Sequence, residues 1–257
     1  MRENKFTDIY PQARLSVLNQ NQLQMIDTLL SYDFAWKSYT AGQTLATDKT
    51  HIFRISVDHH FPKVKRAVEE VLSDRELEKA GRMFIQKDKE RYIVSKFCLR
   101  TILGLCLQVP PNEVNFIFHE YKKPTANGIE FNISHTGDYV LIAIGPTPLG
   151  IDIEHLNRDF DFKSILDITF SKKEIDYIGD KDIDPTNFYV MWTRKEALLK
   201  ASGEGVSDNL HLIECLDEHL EYHKKVFKMR TFMIEENYVA SIATTLEQKE
   251  LLFWNWI

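Results

Sequence analysis

The chain has 257 residues, of which 44% are hydrophobic and 27% charged, so it carries enough apolar material for a packed core and is not a disordered chain. Asp and Glu outnumber Lys and Arg by 38 to 32, a formal charge of −6, which argues against a protein that grips nucleic acid through its phosphates. Cys98, Cys106 and Cys215 are widely spaced, with no Cys-x-x-Cys pair, so neither a disulfide framework nor a structural zinc site is expected. The first residues, MRENKFTDIY, lack the apolar stretch of a signal peptide, and no apolar run reaches membrane-spanning length. A cytoplasmic setting, with no membrane partner, is the expectation.

Residues 1–50 read as a leader of unassigned role, with an amphipathic helix expected over Gln20–Leu30. From His51 onward the chain echoes itself. HIFRISVD at His51 is matched by LGIDIEHL at Leu149, and SDREL at Ser73 by SKKEI at Ser171. RYIVSKFCLRTILG at Arg91 is matched by FYVMWTRKEALLKASG at Phe188, and DYVLIAI at Asp138 by NYVASIA at Asn237. The four offsets lie between about 97 and 99 residues and keep one order, which implies two copies of one unit, about 51–148 and 149–257.

Each copy predicts the same elements. A short apolar strand opens it, Ile52–Val57 and then Gly150–Ile153. Capping boxes at Ser73/Glu76 and Ser171/Glu174 each start a helix. Longer helices follow over about Asp88–Leu107 and Pro185–Ala201, the first with an apolar set at Tyr92, Phe97, Leu99, Ile102 and Leu105. Strands are expected at Glu113–Phe118, Glu130–Ser134 and Tyr139–Ile144, then at Lys225–Met233 and Tyr238–Thr244. The predicted fold class is α/β (α+β): two similar lobes forming an intramolecular pseudo-dimer, each a small sheet packed by helices. The groove between the lobes is a natural ligand site.

Three segments carry chemistry. In GIDIE at 150–154, strand alternation puts Asp152 and Glu154 on one side, about 7 Å apart, while Ile151 and Ile153 enter the core. Two carboxylates after a Gly suit a hard cation such as Mg²⁺, though alone they also suit a solvated strand face. In WTRKEALLK at 192–200, Glu196 and Lys200 share a helix face, either as a surface ion pair or as a metal ligand or base beside a phosphate-binding cation. FNISHTG at 131–137 ends a strand in a turn whose hydroxyls, His135 and Gly137 could receive an anion, or could be a plain hairpin.

Taken together, FNISHTG, GIDIE and WTRKEALLK, with FSKKE at 170–174 between the last two, resemble the motif series of the 4′-phosphopantetheinyl transferases of the monomeric surfactin-synthetase-activating (Sfp) type. The resemblance spans about 51–245 and implies a two-lobed pseudo-symmetric fold. It implies Mg²⁺-dependent transfer of 4′-phosphopantetheine from CoA to a serine of an apo acyl or peptidyl carrier protein, releasing 3′,5′-ADP. Carried over by position, Asp152 and Glu154 are the Mg²⁺ ligands, and Glu196 is a third ligand or the general base. Lys200 contacts the CoA pyrophosphate, and Ser134 and His135 contact CoA phosphates. Lys123 in YKKP resembles a Lys near the adenine, with Lys122 standing where the family has Gly. Arg91 resembles an Arg near the nucleotide, and Lys79 a basic residue at the 3′-phosphate, although Glu76, Leu77 and Glu78 stand where the family is richer in cations. The implied partners are CoA and a carrier protein, with no nucleic acid, and the implied state is a monomer. A metal-dependent nuclease is a weaker reading, because Lys200 is four residues from Glu196 and the usual acid-x-Lys spacing is absent. A non-catalytic scaffold is weaker still, because every candidate ligand is present.

Overall fold

Two antiparallel β-hairpins, each preceded by a strand and a set of helices, organise the chain. The structure, a computed structural model, describes Leu30 and residues 34–40, 42–118, 123–179, 185–203, 205, 209–248 and 250–257. Strand β1 (Lys37–Ser38) leads into β2 (Thr50–Ser56), followed by helices α1 (Val57–Val64), α2 (Val68–Val71), α3 (Asp74–Gly81) and α4 (Gln86–Leu107). Strands β3 (Thr125–Ala126), β4 (Ile129–Thr136) and β5 (Tyr139–Gly145) complete the first lobe. The second lobe opens with β6 (Leu149–His155), continues through α5 (Lys163–Thr169), α6 (Lys172–Ile178) and α7 (Thr186–Ser202), and adds β7 (His219–Tyr222), β8 (Lys225–Ile234) and β9 (Tyr238–Thr245). The last strand, β10 (Leu251–Asn255), returns to the first lobe.

The mixed α/β fold has two lobes whose sheets repeat one strand order. The first sheet runs β1-β10-β2-β5-β4-β3 and the second β6-β9-β8-β7, so β2-β5-β4-β3 has its copy in the whole second sheet. One apolar cluster packs α4 on the first sheet, through Phe53, Val94, Leu99, Ile102 and Ile142. A second packs α7 on the other sheet, through Val190, Met191, Ala197, Met229 and Ala243. A third lies between the sheets, where Ile52, Leu141 and Ala143 meet Ile151, Ile153, Phe232 and Ile242. Among the described residues no helix is long and apolar enough to cross a membrane.

Both predicted capping boxes form, with Ser73 and Glu76 capping each other's backbone, as do Ser171 and Glu174. Each box glutamate has a second role that the motif does not announce. Glu76 accepts from Arg100 of α4 at 2.7 Å, and Arg100 also donates to the carbonyls of Pro111 and Val114. Glu174 pairs with Lys195 of α7 at 2.9 Å, and Lys195 donates to the carbonyls of Leu210 and Ile213. In each lobe a cation on the long helix therefore ties a capping glutamate to the 3₁₀ turn that follows that helix, Pro111–Glu113 or Leu210–Leu212.

The structure corrects several sequence expectations. Residues 113–118 do not form a strand: Pro110 and Pro111 fix φ and lack N–H donors, so a 3₁₀ turn forms, and only Ile117 bridges to Thr125. Leu105 is 43% exposed, because α4 turns Val94, Cys98, Ile102 and their neighbours to the sheet instead. The echo of β2 in β6 shifts by one residue. His51 opposes Ile144 and Gly150 opposes Ala243, equivalent points of the two hairpins, so His51 matches Gly150 rather than Leu149. Phe53 then matches Asp152, and Ile55 matches Glu154. Residues 251–255, placed with the second copy by the repeat, pair in parallel with β2. The helix expected over Gln20–Leu30 lies outside the described residues apart from Leu30, which bridges to Thr231.

Gly150 sets how closely α7 approaches β6. A Cβ built there would stand 2.2 Å from the Ala197 carbonyl oxygen and 2.4 Å from the Ala201 nitrogen. Both obstacles are helix backbone, so Gly150→Ala must push α7 off the strand. The expected outcome is a loss of about 1–3 kcal/mol in urea unfolding, the range for overpacking. Lys195→Met should cost more, about 3–5 kcal/mol, because it strands the buried Glu174 charge. A midpoint equal to wild type in the same titration would show that the pair contributes nothing net.

Candidate active site

The site is built where an edge of the second sheet meets the first lobe. Among the described residues β6 pairs only with β9, so its outer edge presents backbone groups that no described strand pairs. Side chains from the first lobe satisfy them. Asn132 Oδ1 accepts from the Ile151 amide at 2.8 Å, and Ser134 Oγ accepts from the Ile153 amide at 3.3 Å. Lys123 donates to the Leu149 carbonyl at 2.6 Å while paired with Glu130 at 3.1 Å. Asn132, Ser134 and Thr136 are alternate residues of β4 and so face β6 together.

The same alternation turns Gly150, Asp152 and Glu154 toward α7. With Ala197 and Ala201 seated on Gly150, Lys200 reaches Asp152: its Nζ lies 2.5 Å from Oδ1. Ser134 Oγ donates to the same oxygen at 2.7 Å. The other oxygen, Oδ2, is buried and has no hydrogen-bond partner. Burial pushes the Asp152 carboxyl up, while Lys200 and Ser134 pull it down. Glu154 accepts a hydrogen bond from Thr136, yet burial and then the charge of Asp152 push its pKa up to about 7. Glu196 is raised by burial, with the Asp152 charge adding to this and the Lys200 ammonium opposing it. Lys200 thus pairs across the groove with Asp152 rather than with its helix neighbour.

The remaining predicted residues divide into two groups. His135 stands at the rim, its pKa lowered by partial burial and then by the charges of Arg91 and Lys200. Arg91 donates to the Gly137 carbonyl at 3.0 Å and pairs with Asp88, which fixes it against the His135 turn. Lys79 lies apart on α3, its ammonium 5.2 Å from the Tyr92 ring centre, and bonds to none of the other predicted residues. Ser134 and Lys123 are both engaged at the β6 edge. The structure therefore brings together Ser134, Asp152, Glu154, Glu196 and Lys200, places His135 and Arg91 at their rim, and leaves Lys79 outside.

The carboxylates share a field without closing a ligand sphere: among the described residues, no three His, Cys, Asp or Glu side chains converge on one point. The donor set still suits a hard cation. It is all oxygen, one buried oxygen lacks a partner, and beyond burial the charge of Asp152 raises the carboxyls of both Glu154 and Glu196. Beside Glu154 and Thr136 opens a cavity of about 450 Å³ walled by Phe160, Phe188, Tyr189 and Trp192. Sequence reasoning missed the roles of Asn132 and Thr136, although their even spacing from Ser134 on one strand was visible. It could not have found the aromatic wall, whose members come from α7 and the loop after β6.

Two family models match side by side. Residues 148–243 match the 4′-phosphopantetheinyl transferase superfamily, and residues 61–147 match the 4′-phosphopantetheinyl transferase N-terminal family. The chain is 28% identical over 234 residues to the 4′-phosphopantetheinyl transferase HetI of a Nostoc species, covering 86% of this chain and 98% of that protein. It is 31% identical over 141 residues to the 4′-phosphopantetheinyl transferase Sfp of Bacillus subtilis, covering 53% of this chain and 62% of the relative. A Xenopus laevis L-aminoadipate-semialdehyde dehydrogenase-phosphopantetheinyl transferase is 27% identical over 158 residues, 54% of this chain and 52% of that protein. The two lobes, the three motifs and these matches agree: the chain belongs to the 4′-phosphopantetheinyl transferase superfamily and is a transferase.

Proposed function

We propose that the chain transfers 4′-phosphopantetheine from CoA to a serine hydroxyl of an apo acyl or peptidyl carrier protein, as a cytoplasmic monomer that requires Mg²⁺ and releases 3′,5′-ADP. The observation that carries the reading is Asp152: one buried oxygen held by Lys200 and Ser134, the other without a partner, beside two more acids of raised pKa.

The serine oxygen forms a bond to the β-phosphorus, and the bond from that phosphorus to the bridging oxygen breaks, so the nucleotide leaves with the electron pair. Asp152, Glu154 and Glu196 are the residues that would hold Mg²⁺, which when bound supplies positive charge to the pyrophosphate oxygens. Lys200 needs only to exchange a carboxylate oxygen for a phosphate oxygen to steady the charge on the leaving nucleotide. Glu196 takes the serine proton directly or through a water, and its raised pKa makes it a better acceptor than a free carboxylate. His135, kept neutral at pH 7 by its lowered pKa, donates one N–H to a phosphate oxygen, and Arg91 beside it holds the nucleotide. Ser134 and Lys123 line the CoA groove while closing the β6 edge, and Lys79 meets a phosphate at its outer end. The cavity beside Glu154 gives the pantetheine arm an apolar wall.

Incubation with CoA, Mg²⁺ and a panel of apo-carrier proteins, read by mass spectrometry of the carriers, tests the reaction. The expected result is a mass increase of one phosphopantetheine group on at least one carrier. Asp152→Ala should abolish it while leaving the unfolding transition in place, because Ile151 and Ile153 supply the core face of β6. Near-wild-type turnover by that variant would remove Asp152 from the site.

Glu154 also predicts a pH dependence. A carboxyl raised above its unfolded value adds stability below that value and loses it as pH climbs through about 7. A cation takes the ionised form, so Mg²⁺ affinity should run the opposite way. Calorimetric titration should show affinity falling roughly tenfold from about pH 8 to about pH 6. In Glu154→Gln the fall should vanish. An equal fall in both proteins would take Glu154 out of the ligand set.

A further inference from the structure

Duplication leaves a second groove between the lobes, and its chemistry is the reverse of the first. In the β4–β5 hairpin Thr136 opposes Tyr139, and in the β8–β9 hairpin Ile234 opposes Tyr238, so Thr136 corresponds to Ile234. Counting back along each strand, Glu130, Asn132 and Ser134 correspond to Lys228, Arg230 and Phe232. In the first groove β4 faces the open edge of β6. In the second, the matching edge of β2 is covered by β10, and Phe232 packs against Phe253 with ring centres 5.3 Å apart.

Beyond that aromatic contact a cavity of about 300 Å³ remains, with Lys37, Lys228 and Arg230 in its lining beside Phe34, Phe253 and Trp254. Its one acid, Glu250, is engaged with Lys49 at 2.7 Å. Lys228 pairs with Glu218 at 3.2 Å, whereas Arg230 and Lys37 form no ion pair among the described residues. A chain of net charge −6 thus holds three cations around one cavity. Glu218 offsets Lys228 and also lies in the field of Arg230, while Lys37 and Arg230 remain without an ion-pair partner among the described residues to attract an anion into the cavity.

We propose that this second groove binds a small phosphomonoester carried on a flat apolar body. The guanidinium of Arg230 offers a planar fork that matches two phosphate oxygens, and Lys37 and Lys228 add point charges. Phe253 is buried against Phe34 and Phe232, so the half-buried rings of Phe34 and Trp254 are the ones that give the body an apolar surface. The cavity volume is at the lower end of small-ligand sites, roughly 300–1,000 Å³. The site lies on β1, β8 and β10 and shares no residue with the carboxylates of β6, so it stands or falls independently of the transfer reaction.

Phenyl phosphate is the probe, titrated calorimetrically into the full chain in the presence of excess 3′-dephospho-CoA, which carries no phosphomonoester, with inorganic phosphate and phenol as controls. The expected result is saturable binding of phenyl phosphate, tighter than either control. Arg230→Gln should weaken it roughly 10- to 100-fold, the range for a charge-assisted contact. Lys37→Gln, at an exposed position where folding is not at risk, should weaken it less. Absence of saturable binding, equal affinity in wild type and both variants, or inorganic phosphate binding as tightly as phenyl phosphate would each overturn the proposal.

Discussion

Everything in the site depends on how the open edge of β6 is closed. A sheet edge buried between two lobes exposes amides and carbonyls to a place where water cannot serve them, at about 1–3 kcal/mol for each group left unpaired. A further strand would satisfy them but would fill the groove. The first lobe supplies side chains instead: Asn132, Ser134 and Lys123 bond the edge groups of Ile151, Ile153 and Leu149. Because the partners are side chains, the groove stays open beside them. Ser134, which closes the edge, also holds Asp152, so the joint between the lobes and the chemistry of the site are one structure.

Burial then sets the electrostatics. Asp152 is only 3% exposed, and a single lysine faces it. Burial raises the carboxyls of Glu154 and Glu196, and the field of the Asp152 charge adds to the rise. The free chain therefore holds more negative charge than its own cations offset, the state from which a cation and a phosphate-bearing substrate gain most on entering. Gly150 is what permits it. Only without a Cβ there can the backbone of α7 sit on β6, which brings Lys200 onto Asp152 and Glu196 into the field of its charge.

The two lobes share what builds a lobe and differ in what does chemistry. Both keep the capping box, and both tie its glutamate through a cation on the long helix to the 3₁₀ turn beyond. At the positions of Asp152 and Glu154, however, the first lobe has Phe53 and Ile55, which face its own helices as core. One copy thus spends a strand face on packing and the other on acids, and β10 covers in the first sheet the edge that the second leaves open.

The repeat, both capping boxes, both long helices and the hairpin strands were legible in the sequence, because each rests on local periodicity or on neighbours three or four residues apart. The same alternation announced Asp152 and Glu154 on one face. The sequence alone could not place β10, since parallel pairing with β2 joins residues about 200 positions apart and leaves no local signature. Nor could it settle the partner of Lys200. Glu196 lies one helical turn away along the chain, but Asp152 lies across the groove, and burial makes the deeper carboxylate the stronger partner. Sequence determined which residues were available to the site; tertiary packing decided which charges faced each other, because that choice depends on distance and desolvation, which no spacing along the chain encodes.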